Sequence, residues 1–257
     1  MIVIKVGGNE LDRPVFLEGF AEAVAMLGER PVIVHGGGRG TTMLMEQFGL
    51  EPRFVEGLRV TDAQTLELAV MGMVGQASMQ LVQALTRVGL PALGLSGVDA
   101  GLVTARKLEV ASGDLGAVGH PVAVDRARLV ALRQAGFLPC VAPICCDDHG
   151  DLLNVNADSV AQSIAAALDA DLLIFLTNVP AVRIGGRAKG MLTPEAVEQG
   201  IRDGEIAGGM IPKTRGAVSA VEAGVRRALI TDLSGLRTIA QGAVAGTIIV
   251  RQERVAV

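Results

Sequence analysis

Two short apolar runs near the N-terminus each end in a glycine cluster, and this pairing constrains the fold more than any other feature of the chain. Ile2-Val3-Ile4-Lys5-Val6 leads into Gly7-Gly8, and Pro31-Val32-Ile33-Val34-His35 leads into Gly36-Gly37-Gly38. Both runs are strand-length and β-branched, and a helix-like segment follows each glycine cluster. A strand, a glycine corner and a helix N-terminus expose backbone N–H groups, and glycine lets an anion approach them closely. Gly36–Gly38 could also be only a tight strand-to-helix turn. Repeated so early, with a lysine inside the first strand, the corners point to an enzyme that handles phosphate.

The alternation continues along the chain. Strands are expected at 2–6, 31–35, 91–95, 138–144, 171–176, 226–231 and 246–250. Helices are expected at 14–28, 39–48, 62–87, 125–135, 157–168, 193–202 and 213–223. This βαβα order with nearly continuous apolar strands predicts an α/β fold on a mainly parallel sheet covered on both faces. Between about 100 and 124 the pattern shortens into a β-hairpin excursion, and Asp147-Asp148-His149-Gly150 is a turn that could join two short strands. No flexible linker interrupts the 257 residues, so two lobes sharing one sheet are expected, at 1–172 and 173–257.

Composition excludes several function classes. A net charge of -4, with no Trp or Tyr, argues against nucleic acid, which needs basic clusters and stacking rings. No apolar stretch reaches the roughly 18 residues of a membrane span, and no signal peptide precedes Lys5, so a cytoplasmic protein is expected. Cys140, Cys145 and Cys146 with His35, His120 and His149 give no zinc spacing, so no metal ligands are expected and the cysteines read as core filler.

Several residues stand out chemically. There is no P-loop, and Gly36 to Thr41 does not satisfy the dinucleotide fingerprint. Lys5 lies in an otherwise apolar strand, where a buried unpaired ammonium is costly, so its head reaches either the ligand-binding edge of the sheet or an exposed edge. Asn156 suits a helix N-cap with Asp158 in the first turn. Gly208-Gly209-Met210-Ile211-Pro212-Lys213 feeds a helix with Pro212 at its start, and a lysine so near a helix N-terminus suggests a bound anion. Arg59, before a helix capped by Thr61 or Asp62, is either a surface charge or a bidentate carboxylate clamp.

Lys5-Val6-Gly7-Gly8, Val34-His35-Gly36-Gly37-Gly38, Gly57-Leu58-Arg59-Val60-Thr61-Asp62, Gly94-Leu95-Ser96-Gly97-Val98-Asp99, Asn154-Val155-Asn156-Ala157-Asp158 and Gly208-Gly209-Met210-Ile211-Pro212-Lys213 occur in order over almost the whole chain. In these motifs the chain resembles the amino acid kinase family. The resemblance implies an open αβα sandwich whose N-terminal lobe binds an acyl amino acid and dimerises, and whose C-terminal lobe binds ATP. It implies transfer of the γ-phosphoryl group of ATP, with Mg²⁺ held through the nucleotide phosphates, to the side-chain carboxylate of N-acetyl-L-glutamate, the second step of arginine biosynthesis.

By the same resemblance, Lys5 and Lys213 would flank the travelling phosphoryl group and Asp158 would hold both ammonium groups. Gly8 and Gly37 N–H groups would contact phosphoryl oxygens. Gly36, Gly37, Gly38, Arg59, Asn154 and Asn156 would bind the acyl amino acid, with Arg59 and Asn154 on its α-carboxylate. Gly7, Gly8, Thr177, Asn178, Val179, Pro180, Gly209 and Met210 would bind the nucleotide. The chain departs from the family at Asn178 and Ala181, where an aspartate and a glycine are usual, and at Gly75–Gln80, where lysine and asparagine are usual. An N-terminal interlacing helix is missing from the sequence, which implies a homodimer that arginine does not inhibit. Met71, Met73, Val74 and Met79 are the expected interface on helix 62–87. A sister kinase acting on carrier-linked aminoadipate or glutamate is the alternative, and a non-catalytic amino-acid sensor a third reading.

Overall fold

A computed structural model describes residues 1–111 and 113–251 of the chain. Strand β1 (Ile2–Val6) passes through Gly7 into the single-turn helix α1 (Gly8–Leu11) and then α2 (Pro14–Ala25). Strand β2 (Val32–His35) passes through Gly36 and Gly37 into α3 (Gly38–Gln47). A ribbon of β3 (Phe54–Val55) and β4 (Leu58–Arg59) leads to α4 (Ala63–Val70), which runs through a π-helical stretch, Met71–Ala77, into α5 (Ser78–Arg87). Next come β5 (Ala92–Ser96), β6 (Val103–Lys107), β7 (Val118–Val124) and α6 (Arg126–Gln134). Three strands follow, β8 (Leu138–Ala142), β9 (Ile144–Cys146) and β10 (Leu152–Val155), and then α7 (Ala157–Ala167). The remainder runs β11 (Leu172–Leu176), the ribbon β12 (Arg183–Ile184) and β13 (Arg187–Ala188), β14 (Met191–Leu192) and α8 (Pro194–Arg202). It closes with α9 (Met210–Glu222), β15 (Ala228–Thr231), α10 (Leu233–Ala240) and β16 (Thr247–Ile249).

Eight strands form the central sheet in the order β14-β16-β15-β11-β1-β2-β8-β5. Every neighbouring pair is parallel except β15 with β16. The chain therefore winds outward from β1 in both directions: early strands lie on one side and strands after α7 on the other. In such a sheet the crevice opens beyond the carboxyl ends of the strands where the winding reverses, here at β1, β2 and β11. Strand alternation divides the core. Val3 packs with residues of α7 and α9, whereas Ile4 and Val6 pack with residues of α2, α5 and α10. Lys5 is two residues from Val3 and so faces α7.

The expected hairpin between 100 and 124 exists as β6 and β7, antiparallel, and it belongs to a small closed barrel with β9 and β10. The expected strand 138–144 is two strands. Pro143 cannot donate to a ladder, its carbonyl accepts from Val155 N–H, and the chain leaves the central sheet there for the barrel. The Asp147–Gly150 turn joins β9 to β10, with Gly150 N–H donating to Asp147 O.

Helix α9 begins at Met210, so Pro212 is its third residue rather than its first. Asp62, not Thr61, caps α4, accepting from Thr65 N–H at 2.8 Å. Helix α10, capped by Asp232, and the two-residue edge strand β14 were not anticipated. The stretch Ala63–Arg87 is a 25-residue helix long and apolar enough to cross a membrane, correcting the expectation that none is, and 44% of its apolar window is buried in the fold.

Candidate active site

The two glycine corners meet. A Cβ on Gly8 would collide with Gly38 N and come within 2.7 Å of Gly38 Cα, so the corners touch backbone to backbone. Gly38 itself has φ 34°, in the left-handed region that glycine accepts without strain. No side chain fits on Gly8 against that backbone, whereas Gly38 is favoured as glycine by its positive φ.

At the open edge above the corners, α7 begins. The Asn156 side chain accepts from Asp158 N–H at 2.7 Å and caps the helix, which fixes Asp158 in the first turn. Because Lys5 faces α7, its Nζ meets Asp158 Oδ1 at 2.9 Å; the two side chains are 19% and 31% exposed. The contact is an ion pair, and Oδ1 itself is buried. Lys5 therefore sits at the ligand edge of the sheet.

A cavity of about 400 Å³ lies on one side of this pair, lined by Lys5, Gly7, Gly8, Thr177, Asn178 and Lys213, among others. Lys213 approaches from the first turns of α9 and makes no salt bridge among the described residues. The resemblance placed Asp158 against both lysines; here it contacts Lys5, while Lys213 shares only the cavity. Val179, Pro180, Gly209 and Met210 do not line it. Thr177 Oγ1 accepts from Val179 N–H and donates to Val179 O, both at 3.0 Å, which turns the Val179 backbone toward Thr177. Met210 packs against the core beneath α9.

A second cavity of about 240 Å³ opens on the other side of the pair. Gly36, Gly37, Gly38, Arg59, Asn154 and Asn156 line it, and it shares Lys5, Gly38 and Asp158 with the first. The Arg59 guanidinium is held flat: Nη2 donates to Thr42 Oγ1 at 2.8 Å, Nη1 points at Met45 Sδ at 3.1 Å, and Phe54 stacks 4.8 Å beneath it. Its half-buried setting lowers the Arg59 pKa from the ordinary arginine value, yet an arginine stays charged. Asn154 Nδ2 donates to Thr61 Oγ1 at 3.1 Å, and Thr61 Oγ1 donates to Arg59 O at 2.7 Å. Fully buried Thr61 thus ties β10 to the arginine segment.

Sequence reasoning missed Glu10 on the first cavity and Met73, Val118 and Pro143 on the second. Val118 and Pro143 belong to the barrel and to its approach, long-range neighbours that no local pattern announces. Met73 was expected at a dimer face; instead it is 7% exposed and faces the second cavity, whereas Met71 and Met79 are 55% and 67% exposed.

His35 is fully buried at the foot of the second corner. Burial pushes its pKa down from 6.5 to about 4 against the opposing pull of Gly36 O, which lies 3.4 Å from Nδ1, and Nε2 has no partner. The ring is neutral at physiological pH and too enclosed to serve as a base. Cys140 and Cys145 are buried free thiols, with Cys145 pushed up to about 12 by burial, and Cys146 is half-buried. Among the described residues no three His, Cys, Asp or Glu side chains group to hold a metal ion. The arrangement is two cavities, one glycine-rich and lined by two lysines, the other carrying an arginine fork, meeting at a lysine–aspartate pair.

Residues 1–232 match the model of the amino acid kinase family. The chain is similar to the acetylglutamate kinase of Roseiflexus castenholzii, 49% identical over 235 residues that cover 91% of this chain and 90% of that protein. It is 46% identical over 244 residues to the acetylglutamate kinase of Methanopyrus kandleri, covering 92% and 96%. Among solved structures, N-acetylglutamate synthase from Neisseria gonorrhoeae, complexed with coenzyme A and N-acetyl-glutamate, superposes with a TM-score of 0.83 at 25% identity, covering 98% of this chain and 59% of that one.

Proposed function

The chain belongs to the amino acid kinase family, and on that premise we propose that it transfers the γ-phosphoryl group of ATP to the side-chain carboxylate of N-acetyl-L-glutamate, the second step of arginine biosynthesis. The observation that carries this is the meeting of two cavities at Lys5 and Asp158. Full-length relatives named acetylglutamate kinase favour it over a carrier-linked substrate.

The attacking carboxylate is already ionised, so no general base is required. The barrier lies in bringing an anion to a polyanion and in charge on the phosphoryl oxygens of an in-line transition state. Lys5, between the cavities, and Lys213, on the nucleotide side, supply positive charge where that charge develops. Gly8 and Gly37, at the abutting corners, offer N–H groups to the same oxygens. Asp158 organises the lysines: Oδ1 already contacts Lys5, and Lys213 lines the same cavity, from which bound ligands would draw it toward the carboxylate. Arg59 grips the α-carboxylate with Asn154 beside it, and Asn156 acts by capping the helix that presents Asp158.

The first cavity, with Lys5, Lys213 and the glycine corner on its wall, suits a triphosphate. Its two carboxylates, Glu10 and Asp158, are engaged by Arg13 at 3.3 Å and Lys5 at 2.9 Å, so Mg²⁺ would ride on the phosphates, where it neutralises their charge. Residues 173–257 would form the ATP lobe, with Thr177 and Asn178 at its mouth, and residues 1–172 the acyl amino acid lobe. A homodimer fits the exposed Met71 and Met79 on the long helix, and a biosynthetic role of this kind suits the cytoplasm. Trapping acyl phosphate with hydroxylamine across N-acetylglutamate, glutamate, aspartate and carrier-linked aminoadipate tests the proposal. Turnover should be confined to N-acetylglutamate; preference for the carrier-linked acceptor would overturn it.

A further inference from the structure

We infer that Met73 is the specificity-determining wall of the acyl pocket, setting how long an N-acyl group the enzyme admits. This rests on the reading that the second cavity takes the acyl amino acid. That cavity is small, about 240 Å³, and its polar lining answers the charged ends of such a substrate: Arg59 and Asn154 for one carboxylate, Lys5 and the glycine corner for the other. The acyl methyl must then lie against apolar side chains, which Met73, Val118, Leu58 and Pro143 supply.

Met73 differs from the other three in how it is held. It projects from the π-helical stretch Met71–Ala77, and π turns inside α-helices are frequent at functional sites because they re-aim side chains. The preceding residue, Gly72, presses on α3 so closely that a Cβ there would lie 2.7 Å from Thr41 Oγ1 and 3.1 Å from Thr41 Cα. Met73 Cγ occupies the place a Cβ on Gly37 would need, with Met73 Cβ 3.5 Å from it. The side chain thus rests flat on the glycine corner at the cavity wall. Behind it stand Ala69, Ala142 and Ile144, all buried, so it has nowhere to retreat when a longer acyl chain presses on it.

The test measures kcat and KM by hydroxylamine trapping for N-formyl-, N-acetyl-, N-propionyl- and N-butyrylglutamate, with Met73→Ala, Met73→Leu and Met73→Phe beside the unaltered enzyme. The unaltered enzyme should lose roughly tenfold in kcat/KM per methylene added beyond acetyl. Met73→Ala should raise the butyryl-to-acetyl ratio by on the order of 10², mainly through KM, and Met73→Phe should shift preference toward formyl. Met73→Leu, of similar volume, should keep the original order. Should Met73→Ala fail to fold, the opposite shift in Met73→Phe still decides. An unchanged ratio in every folded variant would overturn the inference while leaving the kinase reading standing. Failure of the unaltered enzyme to phosphorylate N-acetylglutamate would overturn that reading, and this inference with it.

Discussion

The two glycine corners are built alike and differ in the charge they carry. In the first, Lys5 precedes the glycines by two residues and faces α7, where Asp158 waits 2.9 Å away. In the second, His35 directly precedes Gly36, is fully buried, and is held neutral by burial. Strand parity decides the contrast. Lys5 falls on the face whose helix begins at the open edge, while His35 shares the face of Ile33, sealed beneath α2 and α5. One corner therefore offers a cation to a ligand and the other only backbone, and a corner of this kind takes its chemistry from the residue one or two places upstream.

The sharpest way to break the comparison is to remove the cation. Lys5→Ala should lower kcat by on the order of 10²–10³ with KM values little changed, because its charge matters most as the phosphoryl group moves. Lys213→Ala should behave the same way. Steady-state kinetics at saturating ATP would refute the role of either lysine if kcat stayed near normal.

The sealed corner should reveal itself in stability rather than rate. His35 binds a proton only below about pH 4 when folded, whereas an exposed histidine does so near 6.5. Between those values the unfolded chain binds more protons, so stability present above about pH 6.5 falls as the pH drops toward 4, by up to about 3 kcal/mol. Urea unfolding of the protein and of His35→Gln across that range checks this; parallel curves would mean that the histidine is not the titrating group.

Arg59 serves the second corner's cavity. Arg59→Lys should raise the N-acetylglutamate KM by roughly tenfold and spare kcat, since an ammonium cannot reproduce a planar fork. A change confined to the KM for ATP would place Arg59 in the other cavity. The smallest effect is expected at Asn156, whose cap presents Asp158 to Lys5. Asn156→Ala should cost about 1 kcal/mol of stability, read as a shift in the thermal midpoint with part of the kcat loss seen in Lys5→Ala. Unchanged stability would show that Asp158 is positioned without the cap.

Much of this was legible in the residues. Apolar β-branched runs ending in glycine announced the parallel sheet, and Asn156 with Asp158 announced a helix start. Helix α10 escaped notice because Ser234 and Gly235 are poor helix formers; Asp232, which accepts from Gly235 N–H at 2.9 Å, was the signal that could have found it. Strand β14 is two residues long and exists only because β16 lies beside it. Val118 and Pro143 reach the site through a barrel whose closure depends on pairings far apart in sequence.

What the sequence by itself determined was local: where strands end in glycine, where helices are capped, and which residues are too polar for their surroundings. Those follow from φ freedom, orphan N–H groups and the cost of an unpaired charge, all properties of a few neighbouring residues. Only the tertiary structure decided that the two corners touch, that Lys5 meets Asp158 rather than solvent, and that Met73 lies against Gly37 instead of facing outward. Each depends on the approach of elements distant along the chain. That approach is set by how closely glycine backbones can pack, which no single stretch of sequence encodes.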